Sequence, residues 1–251
     1  MTQILFIIFL LIVGYVLKFC KMPQNFAKSL NSFVIFVSLP ATILVQLPKI
    51  QFDSSFILPA LMPWFVAFLS VIFTLIFFKN VPRNTKAALL LLLPLGNTSF
   101  FGFPMLEATI GLESIKYAII YDQFGTFLIL AIYGSFVIAY FEGKSVKLIE
   151  ISKKIAFFPP FIFLILAFFI TIPQDVVPYL TILSKTLVPL ALISVGFSMQ
   201  LNLGNEKIIF AKAILLKLFV IPIIVLSLFM VIGINDLNAK TILLESAMPP
   251  M

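Results

Sequence analysis

Charged side chains divide this chain into long apolar runs. No Asp, Glu, Lys or Arg occurs from Met1 to Leu17, Ser29 to Pro48, Ser54 to Phe78, Ala87 to Leu106, Gln123 to Phe141, Ile155 to Gln174, Thr186 to Asn205 or Leu218 to Asn235. A helix needs about 20 mainly apolar residues to cross a hydrocarbon core of about 30 Å, so the pattern predicts eight membrane-spanning helices. A ninth begins near Asn238 and is interrupted by Glu245 and Pro249-Pro250. Runs such as Ile4 to Val13 lack the apolar and polar alternation of barrel strands, so the expected fold class is an all-α membrane protein, a multi-pass helical bundle. The first span has no basic residue ahead of its apolar run and no small-residue cleavage site, and reads as a retained helix rather than a signal peptide.

Composition narrows the chemistry. The chain is 62% apolar and 11% charged, with one cysteine, Cys20, and no histidine; a soluble domain carries roughly 25% charged residues. The missing ligands argue against zinc, haem and iron-sulfur sites, and the missing imidazole argues against Ser-His-Asp and Cys-His hydrolases. No cofactor, metal or enzymatic activity is expected. The net charge of +7 is a topology signal rather than a nucleic-acid footprint. Assigned to their nearest connections, thirteen Lys and Arg fall between spans one and two, three and four, five and six, and seven and eight. The opposite side holds Lys49, Lys116, Lys185 and Lys240. Basic residues concentrate in cytoplasmic loops, which places the N-terminus outside and the protein in the cytoplasmic membrane, with lipid as its surroundings.

The longest polar connection, Glu142 to Lys154, reads as a hinge separating the first five spans from the rest of the chain. A second set of five would enter the membrane inverted, the architecture of many secondary transporters. The division expected is therefore 1–145 for the first repeat and 146–251 for a second, incomplete one. Leu39-Pro40-Ala41 has a counterpart in Val188-Pro189-Leu190, and Asn84 to Leu90 has one in Asn238 to Leu244.

The fourth span holds Pro94-Leu95-Gly96-Asn97-Thr98-Ser99-Phe100-Phe101-Gly102-Phe103-Pro104. Each proline removes an amide donor and clashes with the preceding turn, and the carbonyls it frees must be satisfied inside protein or a wet cavity. About 10 residues past Lys86, at 1.5 Å each, put this break near the midplane. The ninth span repeats the device with Glu245, Ser246 and Met248-Pro249-Pro250. Two broken helices from opposite faces would offer half-helix N-termini to an anion.

Asp122 lies deep in the fifth span, with Gly125 and Thr126 on its helical face as a small polar stripe able to pack on the fourth span. It is either a proton or cation relay or a structural acceptor for amides near Asn97, and Glu245 has the same status. Glu107 and Glu113 read as solvated or capping residues, and Lys185 and Lys217 as snorkelling side chains near helix ends. Ser194, Gly196, Ser198 and Asn202 read as a helix-packing stretch.

Gly14-Tyr15, Asn31 with Leu39-Pro40-Ala41, the Gly96 to Pro104 motif, Tyr121-Asp122-Gln123-Phe124-Gly125 and Ala247-Met248-Pro249 resemble, over the whole chain, the auxin efflux carrier family. Its bacterial members are called malate or malonate permease-like transporters. The resemblance implies ten helices in two inverted repeats of five, with broken fourth and ninth helices crossing at the transport site. It also implies a scaffold of helices 1, 2, 6 and 7, a moving domain of the others, and a homodimer. The site would comprise Gly96, Asn97, Thr98, Ser99, Gly102, Pro104, Pro249 and Pro250, with Asp122 and Glu245 as ion or proton relay candidates. Ser99 and Thr126 stand where the family leads one to expect Gly and Asn. The expected function is secondary transport of small organic anions such as carboxylates by alternating access, with a coupled proton or cation. The competing readings are an anion channel, and a truncated, non-transporting fragment, because the sequence stops at Met251 within the ninth helix's break.

Overall fold

The computed structural model describes residues 2–47, 54–200 and 206–250, which places Lys49 and Asn202 outside the described residues. Among the described residues eleven helices succeed one another: α1 (Thr2–Leu17), α2 (Phe26–Gln46), α3 (Ser54–Phe77), α4 (Arg83–Leu92), α5 (Phe103–Thr109), α6 (Leu112–Glu142), α7 (Leu148–Ala156), α8 (Pro159–Ala167), α9 (Val177–Ser198), α10 (Lys207–Ile232) and α11 (Leu237–Ser246). No strand occurs among the described residues. Helices α2, α3, α6, α9 and α10 are each long and apolar enough to cross a membrane. Their outward faces carry exposed Phe, Leu and Ile, such as Phe36, Leu61, Phe68, Phe219 and Ile223, which water would not tolerate as a continuous surface. The protein is an all-α membrane protein.

Three spans differ from the charge-free windows. Helices α9 and α10 begin well before Thr186 and Leu218, because Lys185 and Lys217 lie within the helical run instead of closing it. Neither lysine therefore counts as a loop charge, and the loop bias keeps its direction without them. The sixth span is helical only over Pro159–Ala167. Phe158, which precedes two prolines, is extended (φ −78°, ψ 114°), as a residue before proline prefers. The polar connection after Glu142 contains a helix, α7, with Ile151 buried and Leu148 and Ile149 exposed.

The described helices group into two compact units drawn from both halves of the chain. The first unit contains α1, α2, α5, α8 and α9. Here α1 crosses α9 at touching distance: a Cβ built on Gly14 would overlap the Ile193 carbonyl, and one built on Gly196 would overlap the Leu11 carbonyl. Ile7, Leu10 and Leu192 pack beside this crossing. Ser194 donates to Asn31 Oδ1 and lies 3.3 Å from the Ala27 carbonyl, while Ser38 and Thr186 pair through their hydroxyls at 2.7 Å. The packing role expected of Ser194 and Gly196 is what they perform.

The second unit contains α3, α4, α6 from Tyr117 onward, α7, α10 and α11. Its core joins Met62 and Val66 of α3, Tyr121 of α6, Ile221, Val225 and Phe229 of α10, and Ala239 and Ile242 of α11. The Asp236 side chain caps α11 by accepting from the Ala239 amide at 2.8 Å, which satisfies one of the orphan donors of a helix start. Asn238 donates to the Ser55 carbonyl at 2.6 Å and ties α11 to the start of α3.

Candidate functional site

The fourth span is broken, as its prolines require. Helix α4 ends at Leu92, the chain runs non-helically to Asn97, a π-helical turn covers Thr98–Gly102, and α5 starts with Pro104 in its first turn. Pro94 cannot supply the amide that would bond the Leu90 carbonyl. The Tyr133 hydroxyl donates to that carbonyl instead, at 2.9 Å, so the cost of an unsatisfied buried acceptor is avoided.

The ninth span breaks in the same manner. Helix α11 ends at Ser246, and the Met248 amide donates to the Glu245 carbonyl at 3.2 Å before the two prolines. The breaks then meet. Gly96 and Pro250 form an isolated antiparallel bridge, and the Asn97 amide donates to the Pro249 carbonyl at 2.7 Å. A Cβ on Gly96 would stand 3.5 Å from both Cβ and the carbonyl oxygen of Met248, an ordinary contact, so the hydrogen bond rather than the absence of a side chain holds the two segments together.

Asp122 joins this junction. It is 3% exposed and sits in a π-helical turn, Tyr121–Thr126. One carboxylate oxygen accepts from the Thr98 hydroxyl and the other from Gln123 Nε2 at 2.7 Å. The widened turn changes which residues share a face, because π-turns bond i to i+5. Gly125 accordingly packs on Pro63 of α3, where a Cβ would overlap the proline ring. That corrects the expectation that the Asp122 stripe packs on the fourth span through Gly125; the contact to that span is made by Asp122 itself, through Thr98.

Glu245 is 1% exposed, and neither of its carboxylate oxygens has a hydrogen-bond partner among the described residues. Lys217 is also 1% exposed and its Nζ would lie 3.5 Å from a Cβ on Gly96. The expectation of snorkelling fails for Lys217 because it is ten residues into α10, roughly 15 Å from the helix start. Its signal in the sequence was a basic residue inside an otherwise apolar stretch, concealed by ending every span at a charge. Gln123, fully buried beside Asp122, carried no signal beyond its position in the fifth span.

Gly96, Asn97, Thr98, Asp122, Glu245, Pro249 and Pro250 thus belong to the second unit, whereas Ser99, Gly102 and Pro104 belong to the first. The helix ends that approach the bridge within the second unit are the C-termini of α4 and α11, whose partial charge favours a cation, and the helical turn that opens at Thr98, beside Asn97. Lys217 adds a positive charge near Gly96. In the first unit, Pro104 and Glu107 line a cleft of about 500 Å³ with Gln3, Thr42, Gln46 and Lys185. Glu107 is half-buried there, within Coulombic range of Lys185, rather than freely solvated.

A family model described as Membrane transport protein matches residues 1–251. An uncharacterized transporter of Methanocaldococcus jannaschii is 31% identical over 269 residues, covering 99% of this chain and 85% of its own length. An uncharacterized transporter of Methanothermobacter thermautotrophicus is 25% identical over 256 residues, covering 98% of this chain and 83% of its own.

Proposed function

The chain belongs to the membrane transport protein family, that of the auxin efflux carriers, and from that premise we propose that it is a secondary transporter of small organic anions such as carboxylates. It works in the cytoplasmic membrane by alternating access, with the N-terminus outside and as a homodimer. The observation that carries the reading is the junction of two interrupted helices, Gly96 to Pro250 and Asn97 to Pro249, with buried Asp122 beside it. Interrupted helices near the midplane are how transporter folds expose backbone groups to a solute without exposing them to lipid. Asp122 and Glu245 of the second unit are the relay groups, and Ser99, Gly102 and Pro104 of the first unit are further candidates for contact with the substrate.

The test is counterflow of radiolabelled malonate in proteoliposomes containing the purified full-length protein. Saturable, trans-stimulated uptake is expected, and uptake should fall to background in Asn97→Ala and Asp122→Asn proteins that still fold and insert. Uptake without trans-stimulation or saturation would identify a channel instead. Normal flux in both variants would remove these residues from the site.

A further inference from the structure

Three ionisable side chains meet in the second unit almost without exposure: Asp122, Lys217 and Glu245. They are not equally provided for. Asp122 accepts from Thr98 and Gln123, bonds that suit an ionised carboxylate. Glu245 accepts none among the described residues, so the compensation they offer its charge is Coulombic. The groups in Coulombic range of it are Lys217 of α10 and Asp122 and Tyr121 of α6. Helix α3, which also packs against α11, carries no ionisable side chain.

The charges then limit what can enter. With both carboxylates ionised and Lys217 protonated, the cluster carries one net negative charge. An anion brought to the bridge adds another, in a medium where uncompensated charge is expensive. Lys217 is the cation at hand, its Nζ facing Gly96 where α4 and α11 end, and it cannot serve the anion and Glu245 equally. A carboxylate that holds no hydrogen bonds gives up nothing but its charge on protonation, which singles out Glu245 over Asp122.

We propose that Lys217 is the counter-charge for the transported anion and that Glu245 takes up one proton as Lys217 is engaged by it. The inference rests on the anion-transport reading above and supplies its coupling. The proton enters from water on the side from which the anion comes and leaves with the anion on the other side. Each anion is therefore carried with one proton, which cancels one of its negative charges, so that the malonate dianion crosses with one negative charge remaining. No bond other than that of the proton is made or broken.

Two measurements separate this inference from the reading on which it rests. The first needs no substrate: thermal unfolding of the purified full-length protein bearing Lys217→Met, Glu245→Gln or both. Lys217→Met leaves two like charges buried together and should lower the unfolding temperature; adding Glu245→Gln should recover most of that loss. Losses that simply add would overturn the pairing. The second tracks malonate and protons together in weakly buffered proteoliposomes. Wild-type protein should move one proton per malonate, with uptake rising as pH falls. Glu245→Gln should exchange malonate without proton movement or pH dependence, and Lys217→Met should weaken malonate by about thirtyfold or more. Proton movement that survives Glu245→Gln, loss of exchange in that variant, or unchanged malonate affinity in Lys217→Met would overturn the coupling. Absence of flux for malonate and other carboxylates, with the stability recovery intact, would remove the substrate class and leave the Lys217–Glu245 pair standing.

Discussion

Both units contain a place where two stretches of backbone distant in sequence meet, and they reach it differently. In the first unit α1 and α9 touch through Gly14 and Gly196 beside apolar Ile7, Leu10 and Leu192, and the nearby Lys18 is exposed, donating to the Met199 carbonyl at 2.6 Å. In the second, the chain after α4 meets the chain after α11 through Gly96, Asn97, Pro249 and Pro250, with Asp122, Lys217 and Glu245 gathered around them. Close approach by itself asks only for small residues, as the first unit demonstrates and as helix packing in membranes generally shows. Buried charges add a desolvation cost that packing does not require. On the transport reading proposed above, the excess chemistry of the second unit answers to function.

Substitutions can break this contrast, and the largest effect on transport belongs to the second unit. Asp122→Ala removes the acceptor of Thr98 and Gln123 and should reduce malonate counterflow to background while most of the protein stays folded, as read by size-exclusion chromatography. In the first unit the damage should be to stability. Gly14→Val drives a side chain into the Ile193 carbonyl, which is backbone and cannot turn aside, and should cost about 1–3 kcal/mol. Thermal unfolding would show it, with flux falling only as far as the folded fraction does. If Gly14→Val abolished flux at full folding, the first unit's crossing would be part of the working site.

A smaller effect should sharpen the contrast within the second unit. Gly125→Ala overlaps both Cβ and Cγ of Pro63 of α3, and should lower the unfolding temperature by an amount partly recovered in the double variant with Pro63→Gly, which removes both atoms, since the clash needs both partners. Smallest of all, Tyr133→Phe leaves the Leu90 carbonyl without its hydroxyl donor. It should cost about 1 kcal/mol and leave transport measurable.

Much of the fold can be read along the chain because the bilayer imposes length and apolarity on each helix separately. The break in the fourth span was legible for the same local reason: Pro94 and Pro104 cannot supply amides wherever they are placed. The site was legible in part. Asp122 and Glu245 stood out as charges in apolar segments, yet Lys217 was discounted because a lysine near an assumed helix end is ordinary. Only the observed extent of α10 puts it far from that end. The partner of Gly125 was misread because Tyr121–Thr126 winds as a π-turn, and no residue spacing announces that.

The sequence by itself determined that this is a helical membrane protein with interrupted fourth and ninth spans, since hydrophobic length and proline chemistry act within a few residues. Tertiary structure alone decided that Asn97 bonds Pro249, that Thr98 and Gln123 satisfy Asp122, and that Lys217 stands beside Gly96. Apart from the Gln123 bond, which joins adjacent residues, these are contacts between segments distant in sequence. They are selected by the requirement that every polar group taken out of water find a partner, and that requirement is settled only when all the helices are in place.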